Sequence, residues 1–169
     1  MGEAFWVFIG ILAGALIQFF LQKLEKRSGA KAAFQVLKTE IDLNLKEVDK
    51  FKDNIQNLKH LISSAQIKPE EINIFMSGFD YSAMGPLTSQ GYFHYLLGPK
   101  RASAYIEFMR FFNNANAQGL SGWVRDQHTQ GHSISVLNGL VERADNLAGE
   151  LRKIKSARMS PFSMSLREG

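Results

Sequence analysis

The chain contains no cysteine. Disulfide staples, thiol catalysis and cysteine-ligated zinc are therefore excluded, and a reducing compartment suits such a composition. Proline is scarce, with four among 169 residues, and neither proline nor glycine interrupts the stretch from Ala30 to Ala65. Freedom from both breakers over that length is what a long helix requires. Histidine is equally scarce. His128 and His132 are one helical turn apart and could share a metal, but His60 and His94 lie far off and no third ligand is evident. No metal or cofactor is expected. The net charge of +4 is too small an excess to mark a nucleic-acid binder by itself. Phosphate-binding loops, dinucleotide fingerprints and a serine nucleophile elbow are missing as well.

One long apolar run is present. Ala4 to Leu21 reads AFWVFIGILAGALIQFFL, eighteen residues without a charge. As a helix it spans about 27 Å, close to the hydrocarbon thickness of a bilayer. Gln18 lies near one end, where a polar group costs less, and Trp6 lies near the other, where interfacial aromatics collect. A cleaved signal peptide fits poorly, since Glu3 precedes the run and a charged segment without a small-residue cleavage site comes after it. A buried soluble helix is the other rival. Lys23, Lys26, Arg27 and Lys31 flank the C-terminal side of the run, opposed there by Glu25 alone. The excess of cations places the remainder of the chain on the cytoplasmic side of the cell inner membrane. The expected organisation is a single-pass transmembrane anchor at 1–28, a cytoplasmic helical bundle at 29–158 and a flexible tail at 159–169.

The bundle rests on heptads. Phe34, Ile41, Val48, Ile55 and Ile62 occupy one position, and Leu37, Asn44, Phe51, Leu58 and Ala65 the other. Leu43, Leu45 and Leu61 widen the stripe, which favours a bundle over an isolated coiled coil. Asn44 reads as a buried polar residue that fixes register. Pro69 suits a helix first turn and predicts a short helix to about Ser77. Residues 92–97 form an aromatic segment whose periodicity fits helix or strand. Pro99 predicts a helix to about Gln118 with a stripe of Tyr105, Phe108, Met109, Phe112 and Ala115, stopped by Gly119. A polar loop would come next, then a last helix from His132 or Ser133 to about Ala157, striped by Leu137, Leu140, Ala144, Leu147, Leu151 and Ile154. The fold class expected is all-α: an N-terminal transmembrane helix followed by an antiparallel helical bundle.

Reactive residue types concentrate between Ser121 and His132. Arg125 and His132 fit R-x6-H, with Asp126 directly after the arginine, next to the last long helix. In this the chain resembles the HEPN superfamily of helical bundles, in whose ribonucleases paired motifs from two protomers cleave RNA. The resemblance implies Arg125, Asp126 and His132 as catalytic candidates in a metal-independent ribonuclease. A neutral imidazole can take a ribose hydroxyl proton, and a guanidinium can stabilise charge on phosphate. The spacing is at the upper limit of the motif, and a solvated loop with surface histidines explains it as well, so the balance favours a protein that is not an enzyme. The whole layout, an N-terminal span, a long helix and a bundle, resembles the small membrane accessory proteins of type VI-B CRISPR systems. That family implies a ring-shaped membrane pore in antiviral defence, with RNA or a CRISPR effector complex among its partners.

Gly10 and Gly14 form GxxxG within the run, and Gln18 would gain from a partner helix or a wet lumen. These three residues are the candidates for oligomerisation or a pore. Arg152, Lys153, Lys155 and Arg158 gather at the end of the last helix, where cations complement the dipole and could touch RNA or lipid headgroups. Three functions fit these features: an oligomeric membrane-anchored protein that perturbs the bilayer or forms a pore, a tethered RNA-binding or RNA-cleaving module, and a passive membrane scaffold whose outer positions, such as Lys46 and Lys50, capture a partner coiled coil.

Overall fold

A computed structural model describes the backbone of residues 2–159 and 166–167 and the side chains of residues 13–158. The described chain is an all-α bundle of about five helices. They are α1 (Gly2–Ser63), α2 (Met84–Ser89), α3 (Tyr92–Phe111), α4 (Asn114–Thr129) and α5 (Ser133–Ser156), with a 3-10 turn at Pro69–Glu71.

Helix α1 is 62 residues long, about 93 Å from end to end. Among its described side chains burial begins at Ala30. Ala30, Phe34, Leu37, Ile41, Val48, Phe51, Ile55 and Leu58 are buried, so the heptad stripe is the face turned to the bundle. Leu43 and Leu61 are exposed and Leu45 is half-buried, which corrects the wider stripe expected for them. Ala65 lies past the helix end with φ 51, and Gln66 N–H bonds the Leu61 carbonyl at 2.9 Å.

Helix α5 is the centre of the bundle and touches α1, α3 and α4. Its stripe, Leu137, Leu140, Ala144, Leu147, Leu151 and Ile154, is buried throughout. Lys52 pairs with Asp145 at 2.7 Å and Asp42 pairs with Lys155, so residue numbers rise on one helix as they fall on the other: α1 and α5 are antiparallel. Asp42 thus reaches across to α5 instead of pairing with Lys46.

Three local expectations are corrected. After Pro69–Glu71 the chain is extended, not helical, and it alternates: Ile72, Ile74 and Met76 are buried while Asn73, Phe75 and Ser77 face out. This period of two is that of a strand. Helix α3 starts at Tyr92 and bends at Gly98, whose φ of 70 and ψ of 169 are non-helical, before Pro99 resumes it. It ends at Phe111 rather than Gln118. Asn113 then caps α4, its side chain accepting from Asn116 N–H at 2.8 Å, and α4 continues through Gly119 to Thr129. The polar loop is therefore mostly helix. Ala117, Ser121 and Val124 give it a buried stripe of small residues.

Phe112, between α3 and α4, is the hub of the aromatic core. Its ring stacks on Phe79 at 4.4 Å and meets Phe51 edge-on at 5.4 Å. Such pairs add about 0.5–1.5 kcal/mol each beyond burial. Of the expected tail, residues 160–165 and 168–169 lie outside the described residues; β1 (Arg158–Met159) pairs antiparallel with β2 (Leu166–Arg167).

Among the described residues no helix is long and apolar enough to cross a membrane. The side chains from Ala4 to Leu12, half of the uncharged run, lie outside that set, Gly10 among them.

Candidate functional site

Arg125 projects from α4 onto the extended segment. Its Nε donates to the Ile72 carbonyl at 2.8 Å and its guanidinium also donates to the Asn73 side chain. One turn earlier, Ser121 Oγ accepts from Ile74 N–H at 2.8 Å and donates to the Ala117 carbonyl. Residues four apart on a helix share a face. Ser121 and Arg125 thus bracket a strand-like segment that has no sheet to satisfy its backbone groups.

The other two motif residues are elsewhere engaged. Asp126 is exposed and its backbone carbonyl accepts from the Thr129 hydroxyl. His132 is exposed and occupies the cap position before α5, its backbone N–H bonded to the Gln127 carbonyl at 2.8 Å. No hydrogen bond joins Arg125, Asp126 and His132 among the described residues. His128 is nearer the interior, with Nδ1 3.2 Å from Ser133 Oγ. A cleft of about 400 Å³ beside Arg125 is lined by residues 73–77 of the extended segment and by Asn114, Ala117, Gln118 and Ser121 of α4. It contains one cation and, among the described lining residues, no carboxylate or imidazole to move a proton. No group of three or more potential metal ligands occurs among the described residues.

The residues proposed to contact RNA or lipid are divided by the fold. Lys153 pairs with Glu150 at 2.6 Å, Lys155 with Asp42, and Arg152 points outward, whereas Arg158 turns toward α1.

A buried polar network escaped the sequence reading. Glu40 is 2% exposed. Its carboxylate accepts from Ala83 N–H at 2.5 Å and from the Tyr105 hydroxyl. Burial pushes this carboxyl up to about 7; the Ala83 hydrogen bond opposes the shift, the Asp80 charge adds to it, and Ser82 opposes it. The Tyr81 hydroxyl, buried nearby and facing the Glu40 charge, is raised well above its usual range. Asn44 is fully buried and closes both ways on the Asp80 backbone, donating to its carbonyl at 2.7 Å and accepting from its N–H at 2.8 Å. Glu40 could have been found from spacing, because Leu37, Glu40, Ile41 and Asn44 follow the i, i+3, i+4, i+7 rule of one helical face. The network holds the turn at 80–83 against α1, and its position inside the bundle suits structure.

The remaining feature is the first part of α1. Every described residue from Ala13 to Ser28 is exposed. Leu16, Ile17, Phe19, Phe20, Leu21 and Leu24 are each between 51% and 62% exposed on a helix that, among the described residues, nothing else in the chain covers. Gly14 has open space around it and Gln18 is exposed on the same stem. Comparison of the chain with protein-family models, with curated proteins and with solved structures finds no match.

Proposed function

We propose that the chain is a membrane-anchored, self-associating helical protein, in which the stem of α1 spans the inner membrane and carries the bundle on its cytoplasmic side. One observation carries this reading. The helix leaves the bundle without a break and continues for residues 2–28, about 40 Å, with Leu16, Ile17, Phe19, Phe20, Leu21 and Leu24 exposed along it. A helix that exposes so many large apolar side chains is stable where lipid or other helices replace water. Association through the stem is supported by Gly14, whose open surface admits a second backbone, and by Gln18, which gains a hydrogen-bond partner there. Bilayer perturbation or pore formation is the activity that such an assembly serves, in keeping with the resemblance to the CRISPR-associated membrane accessory proteins. The RNA-cleaving reading is weaker, because Arg125 spends its guanidinium on the Ile72–Asn73 backbone and side chain.

The test is the particle size of the full-length chain in mild detergent. A multi-protomer particle is expected, collapsing to a single protomer in Gly14→Leu. A wild-type monomer, or an unchanged particle in the variant, would count against association through this face.

A further inference from the structure

Cations from opposite ends of the chain meet at the foot of the bundle. A cavity of about 690 Å³ opens there; its polar lining is Arg27, Ser28, Lys31, Gln35 and Lys38 of α1 and Arg158 from beyond α5. Residues 27, 31, 35 and 38 follow the three-and-four spacing of one helical face. Among the described lining residues none is acidic. Lys31 and Arg158 are exposed and Lys38 is half-buried, and none of the three has an ion pair among the described residues. Lys38 Nζ sits 4.7 Å from the Phe34 ring centre. Charges that orient a span need only flank it, so they do not explain why Arg158 joins from the far end of the sequence. Ala157 is buried and its N–H bonds the Ile154 carbonyl at 3.2 Å, which turns the chain back toward α1 at this point. The short sheet then pairs Arg158 with Arg167, a second arginine at the opposed register position, where like charges are unfavourable.

We infer that this cavity binds a soluble ligand carrying a run of phosphates, a nucleoside triphosphate or an inorganic polyphosphate. Depth makes the ligand a soluble one. Lys31 and Lys38 lie about 15 and 26 Å past Leu21 along α1, outside the headgroup layer of a bilayer around the apolar run. They face water whether lipid or other helices cover the stem, so the inference does not depend on the membrane reading. Spread makes it a run of phosphates. Lys31 and Lys38 are about 10 Å apart along the axis, farther than one phosphate bridges, and Arg158 closes on them from the other wall. Its planar guanidinium suits two oxygens of one phosphate, while each lysine acts as a point charge on its neighbour. The volume is that of a pocket for a nucleotide-sized molecule. A bound polyanion would offset the repulsion among these cations and tie the end of α5 to α1.

The probes are inorganic tripolyphosphate and ATP, titrated calorimetrically into the full-length chain in a neutral detergent at physiological ionic strength. Saturable binding is expected, weakening as salt is added. Affinity should fall roughly fivefold for each cation lost in Lys31→Gln and Arg158→Gln. The charge-conserving pair Lys31→Arg and Arg158→Lys should keep it, which separates charge from folding. Lys46→Gln with Lys68→Gln removes the same net charge from exposed positions outside the cavity and should leave affinity unchanged. Tighter binding of ATP than of tripolyphosphate would assign the cavity to a nucleotide, and equal or weaker binding to polyphosphate. Absence of saturable binding by either probe at millimolar concentration would overturn the site. So would full affinity in the double glutamine variant, or an equal loss in the Lys46 and Lys68 pair. Tighter binding of a short single-stranded RNA than of either probe would overturn the small ligand in favour of a nucleic-acid backbone.

Discussion

Glu40 is buried inside the bundle with its carboxyl raised to about 7, so protonation favours the folded state. An unfolded glutamate titrates near its ordinary value of 4.5. The folded chain therefore holds the extra proton between these two values, and stability from this group is complete below about 4.5 and lost as pH rises through about 7. The effect is on the order of 3 kcal/mol at most. A thermal melt should show a midpoint falling from pH 5 to pH 8, and Glu40→Gln should flatten that slope; an unchanged slope would remove Glu40 as its source. Arg125 offers a second test at this scale. Its loss frees the Ile72 carbonyl and the extended segment, so Arg125→Ala should cost about 1–3 kcal/mol. His132→Ala, at an exposed position, should stay within about 0.5 kcal/mol. Equal and negligible effects on melting, with loss of an RNA-cleaving activity in both variants, would restore the catalytic interpretation.

At the scale of elements, the two long helices were legible because packing obeys their heptads: Phe34 to Leu58 and Leu137 to Ile154 are buried as their spacing requires. Helix α4 was not, because its buried face is built from Ala117 and Ser121, whose small side chains carry little hydrophobic signal, and because Gly119 resembles a stop. Its true start is Asn113, an ordinary cap whose partner is the Asn116 backbone. Asn113→Ala should destabilise the bundle by about 1 kcal/mol, measured by chemical denaturation. The extended segment hid behind Pro69, although Ile72, Ile74 and Met76 already alternate in sequence. Gly78 shows what local pattern cannot supply. Its φ of 96 favours glycine, and the first carbon of any side chain there would come within 2.6 Å of the Glu47 carboxylate. The Glu47 carboxylate ends a flexible side chain that can move aside, so the positive φ is what holds glycine there. For the candidate site the same limit applies: R-x6-H spacing identified Arg125 but not its partners Ile72 and Asn73, which belong to a distant part of the chain.

For the molecule as a whole, the division is between a bundle that covers its own core and a stem whose described side chains from Ala13 to Ser28 stand exposed. The bundle buries the aromatic hub around Phe112 and the faces of α1 and α5 against each other. The stem continues α1 rigidly outward, so whatever surrounds Leu16, Ile17, Phe19, Phe20 and Leu21 sets where the bundle stands. The most direct measurement is alkaline extraction of membranes from cells making the full-length chain, followed by flotation on a density gradient. The chain is predicted to resist extraction and float with the lipid. Recovery in the alkaline supernatant, free of lipid and detergent, would contradict a membrane-spanning stem.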